Sequence, residues 1–284
     1  MKIPKYWARS DQSVLQAGSD KLQMSCWQWS DVSTGDAQQK ADARTSQIIR
    51  KMLANEPLNR YGYGSQPMRE EITQAITAES GKEVAVITRN AYGALVLNAA
   101  NAMFIDIDFA EQDIEAASHN RVQQLLSAKG PGIEERYSQP VAIWAAQHPE
   151  LGVRIYRTLA GLRCLITNQT FDPRNPDSVS ILQALSSDPL YVRLCQLQEC
   201  FRARLSPKPW RCGISRPPSR YPWNNAADEA RYRKWQQGYE LTAARYSTCK
   251  FIRQIGSAEV HPDIAPVLDL HDRLACPLPG RALA

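Results

Sequence analysis

The chain has 284 residues, of which 43% are hydrophobic and 22% charged, and a net charge of +5. This is ordinary globular composition, enough for one large domain or for a main domain with an appended lobe. No apolar run approaches the roughly 18–20 residues that span a bilayer, and no signal-peptide core follows "MKIPK", so a cytoplasmic location without a membrane partner is expected. Seven cysteines (Cys26, Cys164, Cys195, Cys200, Cys212, Cys249 and Cys276) at irregular spacing argue against a disulfide scaffold. They form no CxxC pair and no metal-like spacing with His119, His148, His261 or His271, so buried reduced thiols are the expectation. Charge is unevenly spread. Between Arg193 and Arg220 seven basic residues meet one acid, Glu199, a local balance of +6 that suggests an anionic partner.

Taken in chain order, "KLQMSCWQWS" alternates as a strand does. A helix follows from about Asp36 to Leu53, with Thr34 or Asp36 as its cap. "NRYGYGSQP" reads as a loop, and Ser65 as the cap of a short helix carrying Met68, Ile72 and Ile76. Val84 to Thr88 and Ala94 to Leu97 read as strands joined by the turn "NAYG". Met103 to Phe109 makes a third strand, and Glu111 to Ala128 a helix. "QPVAIWAAQHPEL" is a further helix, and "GVRIYRTLAGLRCLITN" a hairpin turning near "TLAG". Ser178 or Asp177 caps the helix "VSILQALSS". A longer helix is expected from about Pro189 to Arg204, then a Pro-rich loop. A helix from about Ala226 to Tyr246, the strand "CKFIRQI" and a final helix near "DIAPVLDLHDRLA" complete the chain. Intermixed strands and helices with hairpin pairing predict an α+β fold on a mostly antiparallel sheet. The expected division is a core over residues 1–212 and a mainly helical extension over 213–284 packed on it.

Chemistry concentrates in "MFIDIDF". Strand alternation points Asp106 and Asp108 to one face and Ile105, Ile107 and Phe109 to the other. Two carboxylates roughly 6–7 Å apart repel, and an unpaired carboxylate is costly to bury. Something positive must therefore sit with them: a divalent metal, which two same-face carboxylates suit, or an arginine. Arg154, Arg157 and Arg163 on the later hairpin are candidates either to clamp a phosphate or to pair with the aspartates. In "CFRARLSPKPWRC", Arg202, Arg204, Lys208 and Arg211 flank Trp210, a pattern suited to a nucleic-acid backbone with a stacked base. Near the C-terminus "LDLHDR" offers Asp269, His271 and Asp272 as a weaker acid–base cluster.

The order of these pieces resembles the archaeo-eukaryotic primase superfamily, the fold of primase-polymerases, over about residues 84–212. "MFIDIDF" is similar to that family's metal-binding strand. "TLAGLRCLI" is similar to its phosphate-contacting strand, although Arg163 stands where the family has a histidine. "FRARLSPKPWR" looks like its basic stretch. The family's third metal acid has no clean match between Thr167 and Arg202; Asp188 is nearest in order. The resemblance implies a metal-dependent nucleotidyltransferase acting on nucleoside triphosphates or nucleic acid. Asp106 and Asp108 would bind Mg²⁺ or Mn²⁺, Arg154, Arg157 and Arg163 would hold the triphosphate, and Arg202, Arg204, Lys208, Trp210 and Arg211 would track a strand. Two other readings stand beside it: a non-catalytic nucleic-acid-binding module with an incomplete metal site, and an assembly protein whose aspartates only form salt bridges.

Overall fold

Alternation in the first thirty residues builds a two-stranded hairpin rather than a lone strand. In the computed structural model, which describes residues 1–15, 21–58, 66–119, 132–277 and 280–284, β1 (Tyr6–Leu15) pairs antiparallel with β2 (Lys21–Ser30). Helix α1 (Thr34–Leu53) is capped by the Ser33 hydroxyl, which accepts from the Asp36 N–H. Ala37, Ala41, Thr45 and Ile49 recur every fourth residue on its buried face, and the helix packs on both strands of the hairpin.

Two four-stranded antiparallel sheets follow. One has the order β3 (Glu71–Thr77), β4 (Glu83–Arg89), β5 (Leu95–Ala99), β9 (Phe201–Arg204). The segment expected as a short helix after Ser65 is β3 instead. The four-residue spacing of Ile72 and Ile76 fits either period, and β-branched Ile72, Thr73, Ile76 and Thr77 favour the strand. The "NAYG" turn between β4 and β5 is held by Asn90 Oδ1, which accepts from the N–H groups of Tyr92 and Ala94. Gly93 there has φ +84°, and a Cβ would lie 2.3 Å from the Trp235 ring, so only glycine fits.

The second sheet has the order β11 (Cys249–Gly256), β7 (Gly152–Thr158), β8 (Gly161–Ile166), β6 (Phe104–Asp108). A Cβ on Gly161 would lie 2.2 Å from the Ile107 carbonyl oxygen, so glycine lets β8 approach β6 as it leaves the hairpin turn. A two-residue parallel pair, β10 (Tyr246–Ser247) with β12 (Ala282–Leu283), lies near the C-terminus.

The connecting helices are α2 (Glu111–His119), α3 (Ile133–Gln147), α4 (Pro176–Ala184), α5 (Pro189–Gln198), α6 (Ala226–Ala243) and α7 (Ala265–Ala275). The part of the expected helix beyond His119 and up to Ala128 lies outside the described residues. Asn175, not Ser178 or Asp177, caps α4. The helix expected to run to Arg204 stops at Gln198. Glu199 takes a left-handed φ of 52°, and Phe201–Arg204 instead pairs with β5. The extension expected over residues 213–284 supplies β11, which pairs with β7, as well as helices. Ile264, Val267, Leu268 and Leu270 join the same buried cluster as both sheets. Among the described residues no helix is long and apolar enough to cross a membrane.

Candidate nucleic-acid interface

The β6 register decides what accompanies the aspartates. Asp106 lies directly opposite Arg163 of β8. Arg163 Nε donates to Asp106 Oδ1 at 2.9 Å, and its Nη2 reaches Oδ2 at 3.5 Å. Arg163 is 1% exposed. Burial works against its charge, but Asp106 outweighs it and holds the guanidinium above the ordinary arginine range. Its Nη1 donates to the Arg204 carbonyl at 2.9 Å and so ties the two sheets together. The outer edge of β6 is closed by the start of α5. The Asp106 carbonyl accepts from the Ser187 hydroxyl and the Asp188 N–H, and the Phe104 carbonyl from the Tyr191 hydroxyl. Asp108 is exposed and has no ion pair among the described residues. Partial desolvation by its surroundings, followed by the like charges of Asp106 and Asp188, raises its carboxyl above the usual range.

These residues do not fit a two-carboxylate Mg²⁺ or Mn²⁺ site. Arg163 engages the Asp106 carboxylate, which leaves Asp108 as the one member of the pair without a cation. Among the described residues no group of three or more His, Cys, Asp or Glu side chains is arranged to hold a metal ion. Nor does the hairpin gather its three arginines into one clamp. Tyr156 stands opposite Arg163, so Arg154, two residues earlier on β7, shares that face, while Arg157 points to the other. Arg154 pairs with Asp272 at 2.7 Å and donates to the Tyr156 hydroxyl at 2.9 Å. Arg157 stacks over Phe109, with Glu134 at 3.8 Å.

The basic stretch divides in the same way. Arg202 is internal: it makes two bonds of 2.8 and 2.9 Å to the Glu70 carboxylate, and the two side chains are 8% and 2% exposed. Thr88 also donates to Glu70, and Asn98 donates to Thr88. Arg202 therefore does not track a strand, because its charge is already spent on a buried partner. Arg204, two residues on, is different. Its Nε is sealed from solvent yet finds no acceptor. Burial and the neighbouring charges of Arg163 and Arg211 pull its guanidinium down to about 10, still cationic at neutral pH. Burial, Arg204 and Arg211 likewise lower Lys208. Burial lowers Arg211.

Beyond β9 the chain turns through a 3-10 segment, Pro209–Cys212. This turn leaves Trp210 42% exposed. Lys208 Nζ lies 5.6 Å from the Trp210 ring centre, Arg216 lies 5.1 Å from it, and Tyr92 meets it edge-on at 5.3 Å. A cavity of about 380 Å³ is lined by Asn90, Tyr92, Asp106, Tyr191, Arg204 and Arg220, with the Glu70–Arg202 pair also in its wall. Among the described residues none of Arg204, Lys208, Arg211, Arg216 and Arg220 has a carboxylate within ion-pair distance.

Three residues of this site were not singled out as candidates from the sequence. Arg216 and Arg220 lay inside the stretch of one-sided charge but outside "CFRARLSPKPWRC", and Tyr92 sat in a segment that reads only as a turn. The "LDLHDR" cluster is not at the cavity. His271 is 0% exposed, and its rings of contact are Phe104 and Tyr156. Its Nδ1 lies 3.0 Å from Asp272 Oδ1. Asp269 lies on the same helix, α7. No family model matches the chain, and neither a curated protein nor a solved structure is significantly similar to it.

Proposed function

We propose that this protein binds a nucleic-acid strand through the cleft and loop formed by Arg204, Lys208, Trp210, Arg211, Arg216 and Arg220, as a binding module rather than by metal-dependent chemistry. The observation that carries the reading is Arg204, a half-buried guanidinium that lines the cavity and, among the described residues, has no carboxylate within ion-pair distance. An unpaired half-buried cation is costly unless a ligand completes it, and a phosphate oxygen is the acceptor that a guanidinium suits best. Trp210, exposed and flanked by cations, supplies a face on which a base can stack. Nucleotidyl transfer through Asp106 and Asp108 would first require Asp106 to release Arg163.

The test is fluorescence anisotropy of a labelled single-stranded oligonucleotide across a salt series. If Arg204, Lys208 and Arg211 each neutralise one phosphate, log K should fall with log salt with a slope of about −2, from roughly −0.7 per contact. Trp210→Ala should weaken binding by about 1–3 kcal/mol without changing that slope. A salt-independent signal would rule out a phosphate partner.

A further inference from the structure

Away from the cleft, two cysteine sulfurs face each other. Cys249 opens β11 and Cys276 follows α7, and their Sγ atoms are 3.2 Å apart. Among the described residues no other two cysteine sulfurs are in hydrogen-bond contact. The backbone holds this approach from both sides, because the N–H of Thr248 donates to the carbonyl of Ala275 at 3.0 Å. The residues immediately before the two cysteines are thereby pinned together. Closing the sulfurs to a bond of about 2.05 Å needs only a small side-chain movement. The two thiols also differ in access: Cys249 is 0% exposed, whereas Cys276 is partly open to solvent.

From this geometry we infer that Cys249 and Cys276 form a reversible dithiol–disulfide site, oxidised by peroxides through the more accessible Cys276. The Cys276 thiol attacks the peroxide O–O bond, gives up two electrons and becomes a sulfenic acid, and the peroxide leaves as water or an alcohol. Cys249 Sγ then attacks the Cys276 sulfur. The S–O bond breaks, and the Cys249 proton leaves with the hydroxyl as a second water.

A thiophilic metal would be the competing occupant: His271 Nε2 lies 3.7 Å from Cys249 Sγ, but among the described residues these three side chains are not arranged to hold a metal ion. Arg163 opposes it: its Nη1 stands 3.5 Å from the same nitrogen and brings a buried positive charge to the lone pair a cation would need. The hydrogen bond between Cys249 and Cys276, and then burial, hold the Cys249 thiol well above its usual range, so Cys249 is not the thiol that meets the peroxide first.

The experiment is peroxide treatment of the reduced full chain, followed by alkylation under denaturing conditions and peptide mass spectrometry. The expected result is loss of two of the seven thiols, recovered with dithiothreitol, and one cross-linked peptide pair joining Cys249 to Cys276. Cys249→Ser should trap Cys276 as a sulfenic acid that reacts with dimedone. Cys276→Ser should leave Cys249 reduced. Full alkylation of both residues under peroxide that oxidises Cys26, or a cross-link to any other cysteine, would overturn the assignment. So would protection of both thiols that is lost on chelation.

Discussion

Replacing Asp106 by asparagine separates the two roles available to that carboxylate by the sign of its effect. Asparagine keeps an acceptor for Arg163 Nε but removes the negative charge. Arg163 is then left 1% exposed, facing only neutral acceptors, the Arg204 carbonyl and His271 Nε2. Removing one partner of a fully buried pair costs about 3–5 kcal/mol. Asp106 is 33% exposed on its side chain, and the retained hydrogen bond offsets part of the loss, which brings the expectation to about 2–3 kcal/mol. With a urea m-value of about 3 kcal/mol/M, the unfolding midpoint should fall by roughly 1 M at unchanged m. Adding Arg163→Met to Asp106→Asn should recover part of this loss, since no uncompensated charge then remains. A carboxylate whose role was to bind metal beside Asp108 would behave oppositely. Without metal, Asp106→Asn would relieve repulsion and raise the midpoint. An unchanged or raised midpoint would therefore refute the ion-pair reading.

Glu70→Gln should lower stability by about 3–5 kcal/mol in thermal or urea unfolding, because it strands Arg202 in the interior; a loss below about 1 kcal/mol would mean that the pair is solvated. Asp108→Asn should stabilise the protein at neutral pH. A carboxyl whose folded pKa is raised opposes folding increasingly as pH rises from its ordinary value of 3.8, so the gain should vanish when urea midpoints are measured below that pH. Arg204→Met should hold or increase stability by about 1 kcal/mol while weakening oligonucleotide binding about tenfold, a loss of roughly 1.4 kcal/mol. Equal affinity in titrations of the variant and the parent would remove Arg204 from the interface.

Local chemistry determined much of this protein. The alternation of "FIDID" put both aspartates on one face, and like-charge repulsion required a cation there. The spacing of Ile48, Ile49 and Met52 marked α1, and the turn residues marked the 152–166 hairpin. The one-sided charge between Arg193 and Arg220 pointed to the basic face. What followed from register and burial was not legible. The antiparallel pairing of β6 with β8 sets Asp106 opposite Arg163, so an arginine pairs with the first carboxylate. The end of α5 at Glu199 converts "FRAR" into an edge strand, where Arg202 meets Glu70, a residue 132 positions away, and Arg204 lines the cavity without an ion-pair partner among the described residues. Sequence spacing specifies which side chains share a face. Only strand register and tertiary packing decide which of those charges find a partner and which do not.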